Sequence, residues 1–251
     1  MTLVGVWLSL MTFDFTPEQQ ALADRAREAA SAIGESVAGA IDTLGSIAED
    51  VSTALKSQSL TSLFQGSAVN AAIVIEELAS VSAGLGAHVG FASAVDGGHT
   101  TVRPHGLAGL RSSEIPLARV EVGPASVKAK GRLVAAAVAL GIGRAAIAHA
   151  IASMKKAGVK PGPDETAPHW TFADGATDVA AARLITYNAA QLLDLKQAAD
   201  DAIGRAHLFA ANAAQRAVDA AIRVEGAAGY AKGGLLERLS RDARTLQVIL
   251  R

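Results

Sequence analysis

The sequence predicts an all-α protein with two helical parts joined by a short irregular segment. Half of the 251 residues are hydrophobic but only 4% are aromatic, so Ala, Leu, Val and Ile must form the core, which suits closely packed helices. Apolar residues recur at helical spacing through most of the chain. Glycine and proline punctuate residues 96–130 instead, so no long helix is expected there.

Three helical stretches are predicted in the first part. Thr16, Pro17 and Gln19 form a good helix start with a capping box. A second helix is expected over residues 36–56 and a third over 68–95. Glu76 and Glu77 lie in the third, and we expect them on a solvated helix face, as is usual for such charges.

The second part is predicted to contain four helices, over residues 133–156, 173–195, 198–224 and 235–250. The first of these is apolar, but Arg144 and His149 interrupt it and it is rich in Ala, so a buried bundle helix is expected and not a membrane span. The last two helices are separated by a glycine-containing loop from Glu225 to Tyr230. Glycines there allow a positive φ and close approach by another molecule.

Composition excludes several classes of protein. The net charge of −1 gives no electrostatic footprint for nucleic acid, and without cysteine neither disulfides nor thiolate chemistry are available. Residues 1–11 are apolar but lack the features of a signal peptide, and Met11 is an alternative start, so we expect a cytoplasmic protein. The histidines are dispersed. We expect His149 and His207 to be core residues and no metal at Asp96–His99.

Four sequence patterns follow one another along the chain. They are Phe13-x-Phe15-Thr16-x-Glu18-Gln19, Glu76-Glu77-Leu78-Ala79, Asp178-x-x-x-Ala182-Arg183-Leu184-x-x-Tyr187, and Gly226-x-x-Gly229-Tyr230 followed by Glu237-Arg238-x-x-Arg241-Asp242-Ala243-Arg244. The acyl-CoA dehydrogenase family has similar patterns in the same order, and the chain resembles that family.

The resemblance implies a helical domain over residues 12–95, a reduced β segment over 96–130 and a C-terminal four-helix-bundle-like domain over 131–251. In the family a β-barrel of about a hundred residues lies between the helical domains. Only about thirty residues remain here, too few to close a barrel. Gly109-x-Arg111-x-Ser113 and the predicted strand Arg119-Val120-Glu121-Val122 resemble the exit from that barrel.

The resemblance also implies a site. In the family, the glycine loop of one subunit touches the FAD of its neighbour, so Gly226, Gly229 and Tyr230 are the implied cofactor contacts. The usual catalytic Glu aligns with Leu250, which has no proton-accepting group. The family's alternative base position falls near residues 154–158, where there is no carboxylate. The barrel strands that hold the isoalloxazine have no counterpart.

Three functions remain open. The leading hypothesis is a non-catalytic subunit of a hetero-oligomeric FAD-dependent acyl-CoA dehydrogenase, with a full-length family member as partner and without nucleic acid or membrane partners. The second is a flavin-independent lyase or hydratase acting on a CoA thioester or related acyl substrate, with Asp164, Glu165 or His169 as acid/base groups. The third is a helical assembly module without a small-molecule site.

Overall fold

The computed structural model describes residues 15–94, 106–107, 124–158 and 168–250, with only the backbone at 168–171. All regular secondary structure in these ranges is helical, so the all-α prediction is confirmed. The α-helices are α1 (Pro17–Leu44), α2 (Glu49–Ser57), α3 (Ala68–Ala79), α4 (Ala83–Ala94), α5 (Ala125–Lys156), α6 (Pro168–Asp194), α7 (Asp200–Glu225) and α8 (Leu235–Leu246). Two 3-10 helices span Leu63–Gln65 and Gly226–Tyr230.

Helix α1 begins as the sequence predicts but ends later. The Thr16 hydroxyl accepts from the Gln19 backbone N–H at 3.2 Å and the Gln19 side chain accepts from the Thr16 N–H at 3.0 Å, which confirms the capping box. The helix then continues through a kink at Gly34, with φ of 69°, and ends at Gly45, with φ of 68°. The predicted helix over 36–56 is therefore wrong: its first part belongs to α1, and α2 starts only at Glu49.

The predicted single helix over 68–95 is also wrong, because it is divided into α3 and α4. The break falls at residues 80–82, where serines flank Val81. The Ser82 hydroxyl accepts a hydrogen bond from the backbone N–H of Leu85 at 3.3 Å. This local bond favours the start of α4 over the continuation of α3. The break reorients α4 relative to α3.

Helices α5, α6 and α7 form the centre, and α3 and α4 pack against α5, so one hydrophobic core runs through both parts of the chain. Close packing depends on glycine: a Cβ at Gly141 of α5 would lie 2.6 Å from the Ala79 Cβ of α3. Helix α5 is long and apolar enough to cross a membrane by length and composition. However, 67% of its most apolar window is buried inside the molecule, as in a bundle core.

Residues 106–107 are the described part of the segment between α4 and α5, and they are bound to α8. The Gly106 N–H donates to the Thr245 hydroxyl at 3.1 Å, and the Leu107 N–H donates to the Asp242 carboxylate at 2.5 Å. Leu107 is fully buried, and a Cβ at Gly106 would collide with the Arg241 carbonyl oxygen. The predicted turn at 109–113 and strand at 119–122 lie outside the described residues.

Candidate functional site

The Gly226–Tyr230 loop begins where α7 ends and protrudes from the bundle. Gly226, with φ of 68°, is the C-cap of α7, and its N–H donates to the Ile222 carbonyl. This positive φ, combined with a ψ of −146°, is a backbone conformation that essentially only glycine adopts, which explains why glycine is needed there. Among the described residues, no atom beyond the chain neighbours of Gly226 lies within 4 Å of the position of a Gly226 Cβ. Tyr230 closes the loop with 65% of its surface exposed.

Gly229 faces inward, unlike its neighbours in the loop. It is buried, and an added Cβ would lie 2.9 Å from the Glu225 Cβ and 3.3 Å from both the Ile222 Cα and the Leu236 Cδ1. The close approach at this glycine is therefore to its own chain. The surface that the loop offers to another molecule consists of Gly226, the two alanines that follow it and Tyr230.

A cluster of three polar side chains fixes the start of the loop. The Glu225 carboxylate accepts hydrogen bonds from the Ser153 hydroxyl and, at 2.9 Å, from Nε2 of His149. The Ser153 bond, with the nearby His149, lowers the pKa of the Glu225 carboxyl although partial burial opposes the change. His149 is thus a half-buried partner of Glu225 and not the core histidine that the sequence predicts.

This cluster is an anchor and not a catalytic triad. In a triad the serine hydroxyl bonds to the imidazole, which removes its proton. Here both Ser153 and His149 donate to the same carboxylate, so neither hydroxyl activation nor a free carboxylate results. The arrangement holds the end of α7 against α5.

Helix α8 follows the loop and is bound to α1 by ion pairs. Arg241 Nη2 lies 2.7 Å from the Asp42 carboxylate, and its Nε lies 2.7 Å from Glu237 one turn earlier. These hydrogen bonds raise the pKa of the Arg241 guanidinium. Buried Arg238 pairs with Glu35 at 2.8 Å. Within α8, Glu237 and Arg241 thus form an i,i+4 pair, and the other partners lie on α1.

Asp242 is the most deeply buried acid of this helix. Burial raises the pKa of its carboxyl from 3.8 to about 6, although the hydrogen bond from the Leu107 N–H acts in the opposite direction. Asp242 is the Asp of the Arg-Asp-Ala-Arg sequence, and it has a structural role: it accepts the Leu107 backbone N–H and so holds that residue on α8.

Leu250, at the position where the family's base is expected, is a buried apolar residue. It is 5% exposed, has φ of 58° and lines a cavity of about 310 Å³ together with Arg132, His207 and Asn212. Its carbonyl accepts a hydrogen bond from Arg132 Nε at 3.0 Å. His207 is buried with Nε2 3.0 Å from the Leu246 carbonyl, so its prediction as a partnered core histidine is confirmed.

Glu76 and Glu77 are not on a solvated face, and that prediction is wrong. They are 1% and 4% exposed. Glu76 accepts from Arg144 at 2.7 Å, from Arg183 Nε at 3.0 Å and from the Tyr187 hydroxyl at 2.6 Å. Burial and the Glu76 charge raise the pKa of the Tyr187 phenol well above its ordinary value.

Glu77 extends this cluster to α1. It accepts from Arg27 at 3.0 Å and from Arg144 Nη1 at 3.1 Å. The cluster thereby joins α1 and α3 of the first part to α5 and α6 of the second. The carboxylates are charge-compensated on every side, so they serve packing and not proton transfer.

The sequence contained one signal for this cluster. Arg144 interrupts an apolar helix, and a charge in such a position requires a buried partner of opposite sign. Arg183 and Tyr187 are four residues apart, which places both side chains on one face of α6. Nothing local indicates that Glu76 is the residue to which all three bind.

The acid/base candidates of the lyase or hydratase hypothesis, Asp164 and Glu165, lie outside the described residues, as do Asp96–His99 and the side chain of His169. In the described ranges no group of three or more His, Cys, Asp or Glu side chains is placed to hold a metal ion.

The described helices form a bundle that includes a helix carrying Glu76 and Glu77 and a C-terminal helix–loop–helix. Both features agree with the family resemblance seen in the sequence. The model of the acyl-CoA dehydrogenase C-terminal domain matches residues 128–249. Residues 128–249 are thus similar to the C-terminal domain of the acyl-CoA dehydrogenases.

Two curated relatives illustrate the extent of the match. The 3-(aryl)acrylate reductase of Clostridium sporogenes is 37% identical over 120 residues, which are 47% of this chain and 32% of that protein. The caffeyl-CoA reductase-Etf complex subunit CarC of Acetobacterium woodii is 33% identical over 120 residues, with the same shares. The chain spans about one third of the length of these relatives.

Among solved structures, butyryl-CoA dehydrogenase from Megasphaera elsdenii is similar with a TM-score of 0.77. The alignment covers 95% of each chain at 15% sequence identity, so the likeness is one of fold. It includes both helical parts of the present chain.

Proposed function

We propose that the chain is a non-catalytic subunit of a hetero-oligomeric, FAD-dependent acyl-CoA dehydrogenase. One observation carries the proposal: the Gly226–Tyr230 loop is anchored through Glu225 yet turns Tyr230 outward. The predicted alignment of Leu250 with the family's base supports it. A rigid exposed loop without a reacting group beside it suits contact with another subunit better than chemistry within this one.

The family resemblance implies FAD as the cofactor. The loop fits FAD only if the cofactor is shared with another subunit. The outer surface of the loop has small side chains, an unobstructed Gly226 and the Tyr230 hydroxyl, so a ribose or phosphate can approach the backbone. These groups are too few to hold a flavin on their own. The partner, a full-length family member, would therefore hold FAD and supply the catalytic base, and FAD would supply the hydride-accepting chemistry.

The assignment of Gly226, Gly229 and Tyr230 as cofactor contacts remains a prediction. The structure suggests different roles for the three residues. Gly229 packs against Ile222 and Leu236, so its role in the proposal is to hold the loop in shape. Direct contact is left to Gly226 and Tyr230. The relative CarC is by its name a subunit of a complex, which supports an assembly as the working form.

The test is co-purification with a full-length acyl-CoA dehydrogenase from the same genome, followed by the flavin absorbance of the complex after gel filtration. Tyr230→Ala removes one hydrogen bond and a ring contact, so flavin retention should fall about tenfold or more. Tyr230→Phe separates the hydroxyl from the ring.

The matched control is Val248→Ala, which changes an exposed side chain outside the loop. A chain that stays alone with every such dehydrogenase contradicts the proposal. So does a complex in which Tyr230→Ala retains flavin as well as the wild type does.

We further propose a cytoplasmic location and no nucleic acid or membrane partner, on the basis of the balanced charge of −1. We also propose that the oligomer contains further copies of this chain, the partner, or both. The flavin-independent lyase or hydratase remains a prediction, since its candidate residues lie outside the described part of the chain.

A further inference from the structure

A cavity of about 420 Å³ lies in the first helical part, and none of the Gly226–Tyr230 residues line it. Its walls come from α2, the turn before the first 3-10 helix, and α4. Leu55, Leu85 and Val89 form an apolar surface, and all three are buried. The volume falls within the range of about 300–1,000 Å³ that is typical of small-molecule sites.

The polar side chains that line the cavity include a positively charged one. Hydroxyls of Ser52, Thr61 and Ser62 accompany the ammonium group of Lys56, together with the Gln65 amide and the His88 imidazole, and no carboxylate is among the described lining residues. Lys56 makes no ion pair with any residue in the described ranges. Lys56 is an exposed residue at the cavity, and a cation beside hydroxyl donors favours a single negative charge in the ligand.

The wall between α2 and α4 is held in an uncommon backbone conformation. Ser59 and Ser62 have φ of 57° and 55°, in the left-handed region that non-glycine residues rarely adopt. The backbone of Leu63, the next residue, is held by α4, because the Leu63 N–H donates at 3.1 Å to the buried Ser93 hydroxyl. Backbone of this kind is found preferentially at ligand sites, where the surrounding structure maintains it.

We propose that this cavity binds a small amphipathic monoanion, namely a monocarboxylate with a short apolar body. The carboxylate lies at Lys56 and the hydroxyls, and the apolar body packs against Leu55, Leu85 and Val89. The site belongs wholly to this chain, so binding requires neither FAD nor a partner subunit.

The experiment is a titration of the full-length chain with hexanoate, followed by isothermal calorimetry and by NMR shifts of the backbone amides. Hexylammonium and hexanol have the same apolar body with a positive charge or none. Hexanoate should saturate and shift resonances of α2 and α4, and both analogues should bind about tenfold more weakly or worse, a difference of about 1.4 kcal/mol.

Two variants locate the site. Lys56→Met should weaken hexanoate binding about tenfold while leaving hexanol binding unchanged. Ala92→Phe should abolish binding, because Ala92 is a half-buried lining residue and a phenyl ring there would occupy the cavity. Lys155→Met on α5, an exposed lysine outside the lining, is the matched control and should bind like the wild type.

Helical circular dichroism and thermal melting establish that each variant is folded. If Ala92→Phe does not fold, Lys56→Met decides alone. The proposal is overturned if hexanoate shows no saturable binding at millimolar concentration, if hexylammonium binds as tightly, or if Lys56→Met and Lys155→Met bind alike.

Discussion

Glu76 shows how much one side chain contributes when its partners come from three helices. Arg144, Arg183 and Tyr187 all bond to it, and they belong to α5 and α6 while Glu76 belongs to α3. Removing one member of a buried charge cluster leaves the others without compensation, which costs more than the net contribution of the pair.

We therefore expect Glu76→Ala to lower the free energy of unfolding by about 3–5 kcal/mol, measured by urea denaturation. Glu76→Gln should cost less because it keeps an acceptor for Tyr187. The control is Glu28→Ala, an exposed position on α1 where a change within about 0.5 kcal/mol is expected. Equal effects of the two alanine variants would mean that the cluster is not energetically coupled to folding.

Asp242 predicts a pH dependence of opposite sign to that of most acids. Its pKa is about 6 in the folded chain against 3.8 as the ordinary value, so between these pH values the folded state binds more protons than the unfolded state. The free energy of unfolding contributed by this group therefore falls as pH rises from about 4 to 7, by on the order of 3 kcal/mol.

Asp242→Asn keeps an acceptor for the Leu107 N–H but does not titrate. The stability of this variant minus that of the wild type should increase between pH 4 and pH 7 by that amount, measured by urea denaturation at several pH values. Taking the difference removes Glu225 and Glu237, whose lowered pKa values make stability fall as pH falls. Parallel curves for the two proteins would show that Asp242 is not buried as described.

At the scale of the helices, close packing rests on individual glycines. An added Cβ at Gly141 would meet the Ala79 Cβ and the Glu76 carbonyl oxygen at 2.6 and 2.7 Å. At Gly204 of α7 it would meet no described residue within 4 Å apart from the adjacent backbone of its own helix. Both glycines are inside helices, where alanine has the higher propensity.

Gly141→Ala should therefore destabilise the protein by about 1–3 kcal/mol through overpacking, while Gly204→Ala should stabilise it by about 0.5–1 kcal/mol. Thermal melting of the two variants beside the wild type measures both. If both substitutions stabilise, α3 and α5 can separate slightly, and the tight contact is not a requirement of the fold.

Helical periodicity predicted nearly every helix but not where the helices break. The first break was misplaced because Gly34 only kinks α1, whereas Gly45 ends it, and both glycines look alike in sequence. The break at Ser80–Ser82 depends on a local side-chain hydrogen bond that competes with the helix. The loop at Gly226 was predictable because a glycine and a tyrosine follow a long apolar helix, but the inward packing of Gly229 required the three-dimensional structure.

For the whole molecule, the two helical parts share one core and one buried charge cluster. The described parts of the two predicted domains, residues 12–95 and 131–251, are therefore in extensive contact with each other. We expect a single cooperative thermal transition in which the calorimetric and van't Hoff enthalpies agree. Differential scanning calorimetry measures both, and two resolved transitions would instead indicate two independently stable domains.

The attachment of Gly106 and Leu107 to α8 also has a consequence for chain entropy. It divides the stretch between α4 and α5 into two shorter closures, each ending on the folded bundle. Because the cost of closing a loop grows only with the logarithm of its length, extra residues inserted on either side of this attachment add little to the cost of folding. The bundle therefore tolerates a much longer insertion at this point with its helices unchanged.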